Sequence, residues 1–172
     1  MQGPLTGFKI LDLSAVLSGP LATAWLADQG AEVIKVEPLQ GDIVRHMGGG
    51  AKGITPSFLN ANRGKKSIAI DLKTETGVQL VKKLATLADV LVQNFRPGAI
   101  ERMGLGYDVI KSINPGIVYC SISGFGETGP FAHKRVYDPV IQSLSGLADI
   151  QRDRDTGRPK MIRTVIPDMT TA

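Results

Sequence analysis

The 172-residue chain predicts an open α/β fold, a mostly parallel sheet flanked by helices. Three observations carry this reading. Short β-branched runs alternate with helical stripes along the whole length. Residues 8–13, the helix that follows and residues 32–37 form a βαβ unit of ordinary length, which calls for a parallel, right-handed crossover. No internal repeat or linker interrupts the alternation, so the chain reads as one domain.

Residues 8–13 form the first buried strand, and 14–19 turn out of it. Pro20 suits a first helical position, because its fixed φ is already helical and its missing N–H has no partner there. Leu21 to Ala27 supply the helix, and Gly30 caps it. The second strand, 32–37, stops at Pro38. Residues 40–53 are glycine-rich and aperiodic, hence a long loop. A short piece at 56–60 leads into the basic cluster 62–66, and 67–72 alternates as a strand. Apolar Val78, Leu80, Val81, Leu84, Leu87 and Ala88 make a helical stripe over 75–88.

Residues 89–93 are the next strand, 97–103 and 107–113 are short helices, and 116–123 is a strand that places Cys120 in the core. A glycine-rich turn, a helix over 138–147 and a charged loop at 151–158 precede a closing strand at 161–166, which Pro167 stops. The chain ends at Ala172, one turn into a helix that Asp168 opens. That is the pattern of a piece of a longer protein.

Composition bounds the function classes. With 42% hydrophobic and 21% charged residues and a mean hydropathy of +0.04, the chain is ordinary globular material. No apolar run reaches membrane length, and the N-terminus lacks a signal-peptide pattern. One cysteine leaves no disulfide framework, which fits a reducing, cytoplasmic setting. A net charge of +4 is too small to argue for nucleic acid on its own, and 5% aromatics leave few platforms for stacking bases, so no nucleic-acid partner is expected. A phosphate-bearing small ligand and a plain solvated surface suit the charge equally.

Gly124-Phe125-Gly126-Glu127-Thr128-Gly129 has the spacing that seats a dinucleotide pyrophosphate on a helix. Its context fails: Pro130 follows, no helix face succeeds it, and no later strand ends in an acidic residue at the required distance. The first βα turn also lacks the glycine spacing, so no NAD site is expected. His46 and His133 have no partner at metal-ligand spacing, so no metal is expected. The cluster Asn62-Arg63-Gly64-Lys65-Lys66 fits a phosphate site or a solvated basic turn. Asn94-Phe95-Arg96-Pro97-Gly98 sits after the carboxyl end of a strand, the ligand side of such sheets. Arg102, one helical turn past Gly98, adds a cation or is an ordinary helix residue. Asp168 is either a helix N-cap or a carboxylate nucleophile at a strand end.

Taken in order, Leu11-Asp12-Leu13-Ser14, Ser18-Gly19-Pro20, the run from Gly30 to Glu37, Asn94 to Gly98, Gly124-Phe125-Gly126, Tyr137-Asp138, Ser145-Gly146-Leu147 and Asp168 resemble the family III CoA-transferases of the CaiB/BaiF superfamily. The resemblance covers nearly the whole chain. It implies a Rossmann-like sheet and makes residues 1–172 the N-terminal part of a large CoA-binding domain. The remainder, a glycine-rich loop that closes over the thioester and a smaller second domain would lie beyond Ala172. It further implies an interlocked homodimer acting on acyl-CoA and a carboxylic acid, with coenzyme A as substrate and product. Asp168 would be the nucleophile, passing through mixed anhydrides and an aspartyl-CoA thioester. CoA contacts would fall on Leu17, Ser18, Asp71, Leu72, Lys73, Asn94, Phe95, Arg96, Arg102, Arg135, Val136, Tyr137 and Asp138.

Two departures qualify the substrate. Leu17 and Pro38 stand where the family's formyl-CoA transferases have a polar amide and an arginine, which weakens a formate–oxalate assignment. The superfamily's α-methylacyl-CoA racemases place a histidine where this chain has Tyr137. A phenol near pKa ~10 shuttles protons poorly at neutral pH compared with an imidazole near ~6.5, which favours transferase over racemase. A non-catalytic CoA- or nucleotide-binding module with Asp168 as a cap is the remaining alternative.

Overall fold

Five strands are hydrogen-bonded in the order β3-β2-β1-β4-β5, every neighbouring pair parallel. They are β1 (Lys9–Asp12), β2 (Glu32–Glu37), β3 (Lys66–Ala69), β4 (Val90–Gln93) and β5 (Val118–Ser121). The computed structural model describes residues 3–50 and 54–172, so the last three residues of the expected 40–53 loop lie outside the described residues. Alternation along the central strands splits the apolar side chains between two faces. Ile10, Val33 and Val92 pack on one face with Leu26 and Ala27 of α1 (Ser18–Asp28). Leu11 and Leu91 face the other way. There they pack with Val81 and Ala85 of α3 (Glu75–Ala85), Ile100 of α4 (Ala99–Arg102) and Ile110 of α5 (Tyr107–Ile113). A strand covered on both faces needs a nearly continuous apolar run, which is why β1 and β4 read so clearly in the sequence.

The chain leaves β1 toward β2 and β3, then returns across the sheet to β4 and β5. Strand order therefore reverses between β1 and β4, and a crevice opens beyond their carboxyl ends.

Local chemistry moves several boundaries. Helix α1 starts at Ser18, with Leu17 as its cap, so Pro20 holds the third helical position and not the first. The 40–53 loop contains a 3₁₀ turn, Ile43–His46, capped by the Asp42 side chain through Val44 N–H. The piece at 56–60 is a full helix, α2 (Pro56–Asn62), capped by the Thr55 hydroxyl. Between α6 (Asp138–Leu144) and α7 (Leu147–Ile150), Gly146 takes φ 82°, and the single helix expected over 138–147 breaks there.

Two expectations fail outright. No strand forms at 161–166; α8 (Ile166–Thr171) begins within that stretch. The buried Gln142 side chain takes the ladder's place, accepting from Ile162 N–H at 2.8 Å and donating to the Thr164 carbonyl at 3.0 Å. β-branched residues gave the strand signal, but a side-chain amide satisfies this backbone. Cys120 is exposed, because β5 is an edge strand with little over it.

Beneath the first βα turn lies a group of buried charges. Asp12, Lys35, Asp42 and Glu37 are 0%, 1%, 2% and 3% exposed. Lys65 meets Asp12 at 2.9 Å, Lys35 meets Asp42 at 3.0 Å, and Arg45 meets Glu37 at 2.6 Å. Burial pushes the Asp12 carboxyl up, but Lys65 and Lys35 beside it more than offset this and hold it below its ordinary value. Burial likewise pushes Glu37 up. Hydrogen bonds from Arg45, Ser67 and Asp42 N–H outweigh it and hold the carboxyl at about 2. The basic cluster at 62–66 is thereby accounted for: Lys65 pairs with Asp12, Arg63 with Asp28 and Lys66 with Glu32.

Lys65→Ala should destabilise the fold by about 3–5 kcal/mol at neutral pH in denaturant unfolding, because Asp12 is left buried with its nearest counter-charge gone. Acidification should recover part of that loss as Asp12 becomes neutral. In the unmutated chain Glu37 is depressed, so its contribution is full above about 4.5 and disappears as pH falls toward about 2. Glu37→Gln should flatten that acid limb.

Candidate active site

The crevice beyond β1 and β4 is a cleft of about 310 Å³. Val16 and Ser18 of the first βα turn, Asn94 to Pro97 after β4, and Ile122 to Gly124 after β5 form three of its walls. Lys134 to Asp138 and the start of α8 complete it. A second cleft of about 280 Å³ lies on the other side of the same turn, lined by Ser14, Ala15, Pro38 to Gln40, Asp71 to Lys73 and Met103. Phe95 stands in the wall of both.

The turn between the clefts is held almost group by group. Ser14 N–H donates to Asp12 at 2.9 Å, and the Ser14 carbonyl accepts from Lys35 at 2.8 Å. Ala15 N–H donates to the Asn94 side-chain oxygen at 2.8 Å, and the Asn94 amide donates back to the Ala15 carbonyl at 2.7 Å. Val16 N–H donates to the Asp42 carboxylate at 3.2 Å. Val16 sits at φ 69°, the left-handed region, where a β-branched residue costs about 1–3 kcal/mol and persists only under outside constraint. Gly19 has no room for a side chain: a Cβ there would lie 2.4 Å from the Ser14 Cβ. That close approach lets α1 start directly against the turn.

Asp168 is the third residue of α8, whose N-cap is Val165. It therefore does not cap its helix. Its carboxylate accepts no hydrogen bond among the described residues and faces the first cleft. The residue is half-buried. Burial raises its carboxyl above the ordinary value, and the neighbouring Asp138 charge raises it further. Asp168 is placed through its backbone: its N–H donates to Asp138 at 3.2 Å. Asp138, buried at the start of α6, accepts from Gln142 at 2.6 Å, and Gln142 also holds the 162–164 segment. One amide thus fixes both the approach to α8 and the carboxylate that orients it.

The glycine motif at 124–129 has a packing use. A Cβ on Gly124 would lie 1.8 Å from Val136 Cγ2, so only glycine lets the 132–138 segment close onto the end of β5.

Of the residues singled out from the sequence, Ser18, Asn94, Phe95, Arg96, Arg135, Val136, Tyr137, Asp138 and Asp168 meet in the first cleft. Asp71, Leu72 and Lys73 meet in the second, with Phe95. Leu17 is the half-buried cap of α1 and lines neither cleft. Arg102 lies at the exposed end of α4 beside Gly98 and also lines neither. The sequence did not single out Val16, Asp42 or Gln142. A valine carries no signal for positive φ, and a buried glutamine looks like any other inside a polar helix. Asp42 sat in a loop with no periodicity.

Residues 5–172 match the family described as CoA-transferase family III. The chain is 48% identical over 165 residues to the succinyl-CoA:glutarate CoA-transferase of Mus musculus, covering 94% of this chain and 38% of that protein. It is 43% identical over 147 residues to the acetyl-CoA:oxalate CoA-transferase of Acetobacter aceti, covering 85% of this chain and 38% of that one. A crystal structure of a CaiB/BaiF family protein from Brucella suis superposes with a TM-score of 0.92 at 40% identity, over 98% of this chain and 46% of that one. The chain therefore spans less than half the length of these relatives. With its parallel sheet, its switch-point cleft and a match over almost all its residues, the chain belongs to the family III CoA-transferases.

Proposed function

We propose that the protein moves CoA from an acyl-CoA thioester to a carboxylic acid, with Asp168 as the covalent carrier. The observation that supports it is a half-buried carboxylate, free of hydrogen bonds among the described residues, facing a cleft at the sheet's switch point. A carboxyl raised by burial is a stronger nucleophile once ionised than a solvated one. In this reading an Asp168 oxygen attacks the thioester carbonyl. The C–S bond breaks, leaving an acyl–aspartyl anhydride and the CoA thiolate. The thiolate attacks the aspartyl carbonyl and expels the acyl group as a carboxylate, so Asp168 holds CoA as a thioester. The acceptor carboxylate repeats the exchange in reverse and regenerates Asp168. No step needs an oxidant or a net proton.

The remaining side chains fit a long, anionic thioester. Arg96, Lys134 and Arg135 line the first cleft and form no ion pair among the described residues. Phe95 offers an apolar face shared with the second cleft, where Asp71, Leu72 and Lys73 stand. In the same reading Ser18 and Val136 to Asp138 contact CoA near the thioester. The relatives' names specify dicarboxylates, glutarate and oxalate among them, and Arg96, Lys134 and Arg135 in the lining of the same cleft offer a counter-charge for a second carboxylate. We therefore assign the acceptor to the small dicarboxylates. The interlocked homodimer, the smaller second domain and the cytoplasmic location belong to this proposal.

Incubating the complete gene product with acyl-CoA and weighing its peptides should find CoA, or a hydroxamate after trapping, on the peptide that contains Asp168. Transfer-free exchange of the substrate's α-hydrogen with deuterated solvent would replace this reading with the racemase. Asp168→Asn should lower kcat by about 10³-fold or more while melting no lower at neutral pH, since the fold disfavours the charge it removes. The acid limb of kcat/KM should lie above the ordinary aspartate range, because Asp168 must be ionised to attack and its carboxyl is raised. In Asp138→Asn the limb should move to lower pH. A dicarboxylate acceptor should exceed the monocarboxylate of equal length by about tenfold in kcat/KM, a difference of about 1.4 kcal/mol.

A further inference from the structure

We propose that Asn94 is a positioning residue: its side-chain amide splints the backbone of Ala15 and, with Asp42, forces Val16 into the left-handed conformation that shapes the floor of the Asp168 cleft. This rests on the transferase reading above, and it gives Asn94 a different task from contacting CoA.

The geometry is that of a missing β-bridge. One amide accepts from Ala15 N–H at 2.8 Å and donates to the Ala15 carbonyl at 2.7 Å, so it satisfies both polar groups of a single residue as a neighbouring strand would. The amide oxygen and one of its two N–H groups are engaged with the backbone. Asn94 directly follows β4, and Ala15 lies just past the end of β1, so the splint extends the β1–β4 pairing past the point where the strands diverge. The next residue, Val16, departs from extended backbone to φ 69° and donates to Asp42. Asp42 is itself fixed by Lys35 and by Val44 N–H. A valine left to itself would abandon this conformation. With Ala15 clamped on one side and α1 beginning at Ser18 on the other, it has no alternative path. Val16 and Ser18 both line the cleft that Asp168 faces, so the turn's shape is the cleft's shape on that side.

A double-mutant cycle in the complete gene product separates positioning from contact. Asn94→Ala should lower kcat/KM by about tenfold or more, mainly through kcat. In a Val16→Gly background, where positive φ is unstrained, the same Asn94→Ala change should cost less than about twofold relative to Val16→Gly alone. A loss expressed as weaker CoA binding, equal in both backgrounds, would overturn the proposal and make Asn94 a ligand contact. Hydrogen exchange needs no activity. Asn94→Ala should speed exchange of the Ala15 amide by about tenfold or more, and unchanged exchange there would overturn the splint even if the unmutated protein transferred no CoA. Absence of transfer by the unmutated protein, with exchange accelerated in the variant, would leave the splint standing and overturn the transferase reading.

Discussion

The structure turns on ionic pairs that have no access to water. Asp12 and Lys65, and Lys35 and Asp42, lie at the inner end of the first βα turn, where apolar packing would be the simpler choice. Burying charge costs more than mutual attraction returns unless every remaining lone pair and proton is also matched. Here every buried side-chain polar atom among the described residues has at least one partner. Asp12 also accepts from Ser14 N–H and the Thr23 hydroxyl, and Lys65 also reaches the Pro20 carbonyl and the Asn62 side chain. What the arrangement obtains is geometry more than stability. A hydrophobic cluster tolerates small shifts in any direction, whereas these groups accept only one placement of β1, α1, β3 and the loop that carries Asp42.

That rigidity is spent on one side of the cleft. The opposite side is built differently, from the segment between β5 and α8, and its order comes from Asp138 and Gln142. The two halves meet where α8 packs against α1. The cleft is thus the seam between a sheet-anchored turn and a side-chain-anchored segment, and Asp168 belongs to the second.

Much of this was legible in the residues. The five strands of the sheet announced themselves through apolar runs or alternation, and the βαβ spacing called for one handedness. The residues that meet in the cleft were also within reach, since strand-end positions and charged residues after them are where open sheets collect ligands. Three things were not. The stretch at 161–166 has the β-branched content of a strand, and nothing in a sequence says that Gln142 will supply the partners a neighbouring strand would. Cys120 reads as core because its strand is apolar, while its place at the sheet edge depends on strand order. Lys65 looks like part of a phosphate-seeking cluster, and its engagement with Asp12 spans 53 residues of chain. For the 161–166 stretch and for Lys65 the deciding contact is polar and distant in the chain, for Cys120 it is the order of the strands, and periodicity encodes none of these.

The side-chain mounting of α8 has a mechanical consequence. A strand ladder spreads restraint over many parallel bonds and yields only when several break together. The mounting of α8 instead rests on a few individual side-chain bonds, from Gln142 to the 162–164 backbone and from Asp138 to Asp168 N–H, so each one that is lost removes a large share of the restraint. The charge-locked turn and the side-chain-mounted helix therefore border the same cleft, and the carboxylate rides on the helix.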